Sequence, residues 1–260
     1  MPESSATAPK RELPAMSFLQ HLEELRMRII RALIAVALGF CACWFYAERI
    51  FNYMQQPIMI ALRNHHLDTK LVYLNPTEPF NMYLKVSLIA ALFVASPWIL
   101  FQVWSFIAPG LYRHERRYVV PFMFSTVLLF LAGGAFGYKM VYPGALNFLI
   151  DYGKQFQPMI TISEYTDLFM TIIIGLGVVF EMPIIVFFLS LMGIVSAKWM
   201  WTNFRYSILV IFIIAAIITP TTDIMNMCIF AAPMILLYLV SIGVAFIVHP
   251  TRRKKRAEAQ

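Results

Sequence analysis

The chain has 260 residues, of which 60% are apolar and only 13% charged, against about 25% charged in ordinary globular domains. Its mean hydropathy is +0.70. A water-soluble domain of this size cannot cover so much apolar side chain, which excludes an ordinary soluble enzyme, a disordered chain and a disulfide scaffold. Each helical crossing takes roughly 20 residues, so the composition accommodates six crossings with their loops. The expected class is an all-α polytopic membrane protein.

In chain order, residues 1–28 carry no apolar core of a cleavable signal and read as a polar cytoplasmic segment. Apolar runs then place spans at 29–46, 81–107, 118–142, 165–193, 206–219 and 228–248. The second carries Pro97 and is expected to kink. The fifth is short, about 21 Å of helix against a hydrocarbon layer of about 30 Å. Between the first two spans, AERIFNYMQQPIMIAL has apolar residues at helical spacing, broken by Pro57, and reads as lying along the membrane interface. Thr77 and Glu78 are placed to cap the start of the second span. Residues 143–164 read as a second outer loop and 220–226 as a third. Residues 249–260 form a basic, solvated tail, leaving 29–248 as the membrane domain.

Counting Lys and Arg orients the bundle. With six spans, fifteen of the 21 basic residues fall on the side holding both termini. The positive-inside rule puts that side in the cytoplasm.

The search for covalent chemistry finds little. There is no phosphate-binding G-x-x-x-x-G-K-[ST], and HERRY lacks the second His of a zinc helix. Cys41, Cys43 and Cys228 lie in apolar runs and read as small fillers. No cofactor, metal or nucleic-acid partner is expected. Three carboxylates stand out instead. Glu24 in HLEELR and Glu115 in LYRHERR both lie at the cytoplasmic interface among arginines. Each either neutralises a neighbouring guanidinium, for little gain, or belongs to a two-carboxylate receptor for a cationic peptide. Guanidinium and carboxylate match as a fork that Lys cannot reproduce. Glu181 lies near the middle of the fourth span, where an ionised acid costs roughly 2.5–3.5 kcal/mol or more. It either bonds a neighbouring helix as a neutral acid or serves a polar cavity or partner contact, and Pro183 nearby frees backbone carbonyls. Trp98, Phe101, Trp104 and Phe106 ride the end of the second span. They serve as interfacial anchors or, at Phe106, as a peptide platform.

HLEELRMRI (21–29), SPWILFQVWSFIAPGLYRHERRYVVP (96–121), GLGVVFEMP (175–183) and ITPTTD (218–223) resemble the TatC family, the multi-span subunit of the twin-arginine protein translocase. The likeness runs from about residue 16 to 248. It implies a cupped, glove-like bundle of six helices with short fifth and sixth spans and both termini in the cytoplasm. It also implies a receptor, not an enzyme, located in the bacterial inner membrane. That receptor would bind the twin-arginine signal peptides of folded precursors and export them with the proton-motive force. By resemblance, Glu24 and Glu115 contact the signal arginines and Phe106 shares that surface. Arg26 is the basic residue of the N-terminal motif, Pro57 a sensitive position of the first outer loop, and Glu181 the intramembrane acid. Implied partners are small single-span subunits of the TatA and TatB type docking along the fifth and sixth spans, the lipid bilayer, and further copies of the chain. The sequence departs from the family pattern at Met227, where many relatives carry Gln, and at Leu239, where many carry an acid. Asn226, Thr219 or Asp223 stand in that partner-facing region as substitutes.

Two other readings compete. A proton-coupled small-solute transporter would use Glu181, but no internal repeat accompanies it. A membrane enzyme would need a nucleophile or metal cluster that the sequence does not display.

Overall fold

The computed structural model describes residues 18–107, 119–156, 158–218 and 224–257. Among the described residues, five helices are long and apolar enough to cross a membrane: Leu19–Trp44, Glu78–Ile107, Pro121–Tyr152, Ile162–Leu191 and Met227–Ile247. A shorter apolar helix covers Phe204–Ile217. Among the described residues the only β pairing is an isolated bridge between Val72 and Thr161.

The first helix, α1 (Phe18–Trp44), starts well before the expected 29. The HLEELR segment is therefore helical, and the boundary expected between 28 and 29 falls inside one continuous rod. Leu22, Leu25, Ile29, Ala32 and Val36 carry apolar spacing back through that segment. α1 packs along α4 (Glu78–Ile107). Its other faces are largely exposed, as for a helix facing lipid. The two run antiparallel. His21 meets Phe106 at one end, and Trp44 meets Phe80 edge-on at 5.9 Å at the other. A side chain on Gly39 would stand 3.3 Å from the Ala91 carbonyl oxygen, so small residues set the close approach.

α4 continues through Pro97. Pro97 has no N–H for the Phe93 carbonyl, and the Ser96 hydroxyl donates to that carbonyl instead at 2.7 Å. Before α4, the Glu78 carboxylate turns back and accepts the backbone N–H groups of Leu74 and Asn75 at 3.3 and 3.1 Å. It thus organises the preceding turn.

The segment between α1 and α4 forms α2 (Ala47–Met54) and α3 (Gln56–Asn64). The break falls at Gln55, with Pro57 in the first turn of α3, where a missing N–H is harmless. Pro57 and Ile58 are buried, and Ile58 belongs to the main core.

α5 (Val119–Phe136) passes through a π-helical turn at Gly137–Val141 into α6 (Tyr142–Tyr152). The third crossing is therefore longer than the expected 118–142, and residues 143–152 are helix rather than outer loop. Gly133 sits against the Leu176 carbonyl and Phe180, and Gly134 against Phe93.

The fourth crossing, expected to be continuous, is two helices: α7 (Ile162–Val179) and α8 (Met182–Leu191). Thr161 caps α7 by accepting the Glu164 N–H at 3.2 Å. The break at Phe180–Glu181 follows from Pro183. With no N–H at that position, the backbone tightens, and the Glu181 N–H reaches Val178 and the Ile184 N–H reaches Glu181 as three-residue bonds, both 3.1 Å.

α9 (Ala197–Thr202), α10 (Phe204–Ile218) and α11 (Ile224–Ala257) complete the order. α10 is about 22 Å long by its rise, matching the expected short fifth span. α11 exceeds the expected 228–248 at both ends, and the tail is helical to Ala257. Tyr238 of α11 donates to the Met200 carbonyl at 3.0 Å and accepts from Ser207 at 2.7 Å, fastening α9 and α10 to α11. The main core joins Ile58, Tyr142, Tyr165, Ile172, Phe230 and Met234.

Candidate functional site

At the end where α1 begins and α4 finishes, polar side chains gather between the two helices. His21, Glu24 and Arg28 share one face of α1, being three and four residues apart. Gln102 and Phe106 share the facing side of α4 for the same reason. Glu24 Oε1 accepts from Arg28 Nε at 3.0 Å and also from Arg28 Nη2. The two side chains keep only 21% and 18% of their exposure, so this pair is more shielded than an ordinary surface pair. Arg28 Nη1 stands 3.4 Å from Oε1 of the buried Gln102, at the limit of a hydrogen bond. The second oxygen of Glu24 is buried and has no hydrogen-bond partner among the described residues. The His21 ring stacks on Phe106 at 4.3 Å with planes 20° apart.

Of the residues expected here, the structure brings Glu24 and Phe106 together. Arg26 is exposed and lies two positions from Glu24, off the face that meets α4. Arg28, not Arg26, is the resident cation. Glu115 lies outside the described residues, as do Thr219 and Asp223. Sequence reasoning missed His21, Arg28 and Gln102. Their helical spacing from Glu24 and Phe106 was the available signal. Trp104, expected as an anchor, is buried and donates from its indole to Thr126 at 2.9 Å. That bond ties the end of α4 to α5.

Glu181 is 8% exposed and sits at the first position before α8. Its Oε1 has no partner among the described residues. Pro57 is buried in the α2–α3 cap, where Tyr138 donates to the Tyr53 carbonyl at 2.8 Å and Tyr165 to the Met54 carbonyl at 2.6 Å. Met227 is half-buried and packs against the main core, while Leu239 is exposed on α11. Among the described residues no group of three or more His, Cys, Asp or Glu is arranged to hold a metal ion.

Among the described residues, five long apolar helices, one shorter apolar helix and a shielded carboxylate at one rim define a multi-pass α-helical membrane protein. Comparison with known proteins supplies the family. The model of the Sec-independent protein translocase protein (TatC) family matches residues 20–233. A TatC protein of Koribacter versatilis is 72% identical over 259 residues, covering 100% of this chain and 96% of its own. One from Carboxydothermus hydrogenoformans is 37% identical over 90% of this chain and 95% of its own. A crystal structure described as the twin-arginine translocase receptor TatC superimposes with a TM-score of 0.78 at 34% identity. It covers 86% of this chain and 97% of that one. The chain belongs to the TatC family and is a protein translocase subunit, not an enzyme. Neither the solute-transporter reading nor the membrane-enzyme reading finds support in these relatives.

Proposed function

We propose that this chain is the receptor of a twin-arginine translocase and that Glu24, with Glu115, holds the paired arginines of the signal peptide. The observation that carries the reading is the half-buried Glu24 carboxylate, with one oxygen unpartnered among the described residues. A carboxylate in that state binds a guanidinium more strongly than an exposed one does, since solvent competes less. Phe106, under the His21 ring, supplies an apolar face beside it for the residue following the arginine pair. Arg26 contributes at the same rim.

The distribution of basic residues favours a cytoplasmic location for this rim and for both termini. The bilayer is then the bacterial inner membrane, and residues 29–248 form the membrane domain. Single-span subunits of the TatA and TatB type dock along α10 and α11, near Thr219, Asp223 and Met227, in a complex with several copies of the chain. The proton-motive force drives transport. Glu181 supplies a polar point inside the bundle, and Pro57 keeps the outer cap in place.

The test is capture of a labelled twin-arginine peptide by the full chain in lipid nanodiscs. Glu24→Gln together with Glu115→Gln should lower affinity tenfold or more. Capture at undiminished strength overturns the reading.

A further inference from the structure

We infer that Arg28 is a resident placeholder on Glu24, displaced onto Gln102 when a guanidinium arrives from outside. This rests on the reading of Glu24 as the receptor carboxylate.

Three features of the geometry carry it. Both Arg28 contacts land on the same oxygen of Glu24. Arg28 sits one helical turn along the same helix and engages the carboxylate from the side. The second oxygen is left without a partner among the described residues although it is buried, an unfavourable condition for a charged acceptor. A guanidinium held by a separate chain is free of that helical tether and can face both oxygens as a fork.

Arg28 has somewhere to go. Its Nη1 is already 3.4 Å from the Gln102 amide oxygen on α4. Gln102 is buried within an apolar helix, so its amide oxygen gains from a charged donor. A movement of a few tenths of an ångström would turn that marginal contact into a full hydrogen bond. A further swing of the side chain about its own torsions takes Nε and Nη2 off Glu24 Oε1, and the guanidinium stays hydrogen-bonded to Gln102 as it leaves.

The exchange also explains selectivity by competition. Any ligand must outbid a guanidinium already in place. A Lys ammonium, a point charge without the fork, does so poorly. Discrimination thus arises partly from the incumbent and not only from attraction to the correct ligand.

The experiment compares labelled Arg-Arg and Lys-Lys signal peptides on the full chain in nanodiscs. Arg28→Gln should tighten Arg-Arg binding threefold or more. It should raise Lys-Lys binding further, so that the Arg/Lys affinity ratio shrinks about tenfold. A merely structural Arg28 would give weaker binding of both peptides with the ratio unchanged, and that result overturns the inference. Gln102→Leu keeps the Glu24–Arg28 pair and removes the landing site. It should slow association about fivefold, and unaltered association overturns the exchange even if Arg28→Gln fails to fold. Glu24→Gln separates the two readings. Lost capture in Glu24→Gln upholds the receptor role whatever Arg28→Gln shows. Unchanged capture in Glu24→Gln removes the receptor role and the exchange with it.

Discussion

The Tyr138 hydroxyl donates at 2.8 Å to the Tyr53 carbonyl, the acceptor that Pro57, four residues on, cannot serve because it has no N–H. The Tyr165 hydroxyl does the same for the neighbouring Met54 carbonyl at 2.6 Å. Two crossings of the bundle thereby pin the joint between α2 and α3, and the π turn at Gly137–Val141 carries Tyr138. Tyr138→Phe should cost about 1 kcal/mol. Tyr165→Phe, at a more deeply buried bond, should cost about 1–3 kcal/mol because a shielded carbonyl loses its donor. Thermal unfolding of the purified chain measures both, and amide exchange in 56–64 should quicken in step. Equal midpoints for Tyr165→Phe and the parent would show that the joint holds without the hydroxyl.

A second prediction concerns close packing. A Cβ at Gly133 would lie 2.6 Å from the Leu176 carbonyl oxygen and 2.8 Å from Cγ of Phe180. Backbone cannot swing aside as a side-chain tip can, so α5 and α7 must separate. Gly133→Ala should therefore destabilise by about 1–3 kcal/mol. Gly144→Ala, where nothing lies within 4 Å, is the control and should be neutral or slightly stabilising. If both variants unfold at the same temperature as the parent, the α5–α7 contact is looser than described.

Glu181 yields a third. A buried carboxyl oxygen without a partner weakens a fold relative to an apolar side chain of similar size. Glu181→Leu should raise the stability of the isolated chain by about 1–3 kcal/mol. If Glu181 serves a polar contact during transport, export of a twin-arginine reporter should fall in the same variant. A lowered unfolding midpoint would mean that the acid finds a partner once the protein is in its membrane.

These cases show where the sequence was readable. The apolar runs announced the five long helices because lipid demands about 20 consecutive apolar residues, and α10 was visible as a shorter apolar run. The ends were less visible. Tyr142–Pro143 looks like loop chemistry, yet Pro143 stands in the first turn of α6, where proline starts a helix as readily as it stops one. The break at Glu181 was readable only as a nearby proline, since the tightened turn depends on which carbonyls neighbouring residues can serve. At the candidate site, Glu24 and Phe106 stood out by type. The pairing of His21 with Phe106 and of Arg28 with Gln102 needs the register between α1 and α4. That register also brings Gly39 against Ala91 and Trp44 against Phe80, many residues away.

The last prediction tests how far the surroundings strengthen an ion pair. Lys85 Nζ lies 2.5 Å from Asp167 Oδ1, joining α4 to α7. Lys85 is seven residues into α4 and Asp167 five residues into α7, about 10 and 8 Å along each helix. The side chains remain 34% and 54% exposed. In water such a pair contributes about 0–1 kcal/mol. Beside lipid the same exposure means apolar contact, where an unpaired charge is costly. Asp167→Asn should accordingly destabilise more in bilayers than in detergent at high salt. A double-mutant cycle with Lys85→Met should give a coupling above about 1 kcal/mol in the bilayer and less than half of that in detergent. The charge-swapped double variant, Lys85→Asp with Asp167→Lys, should recover most of the loss. Equal coupling in the two media would place this pair in water on both occasions, and the N-terminal ends of α4 and α7 would then stand clear of the hydrocarbon layer.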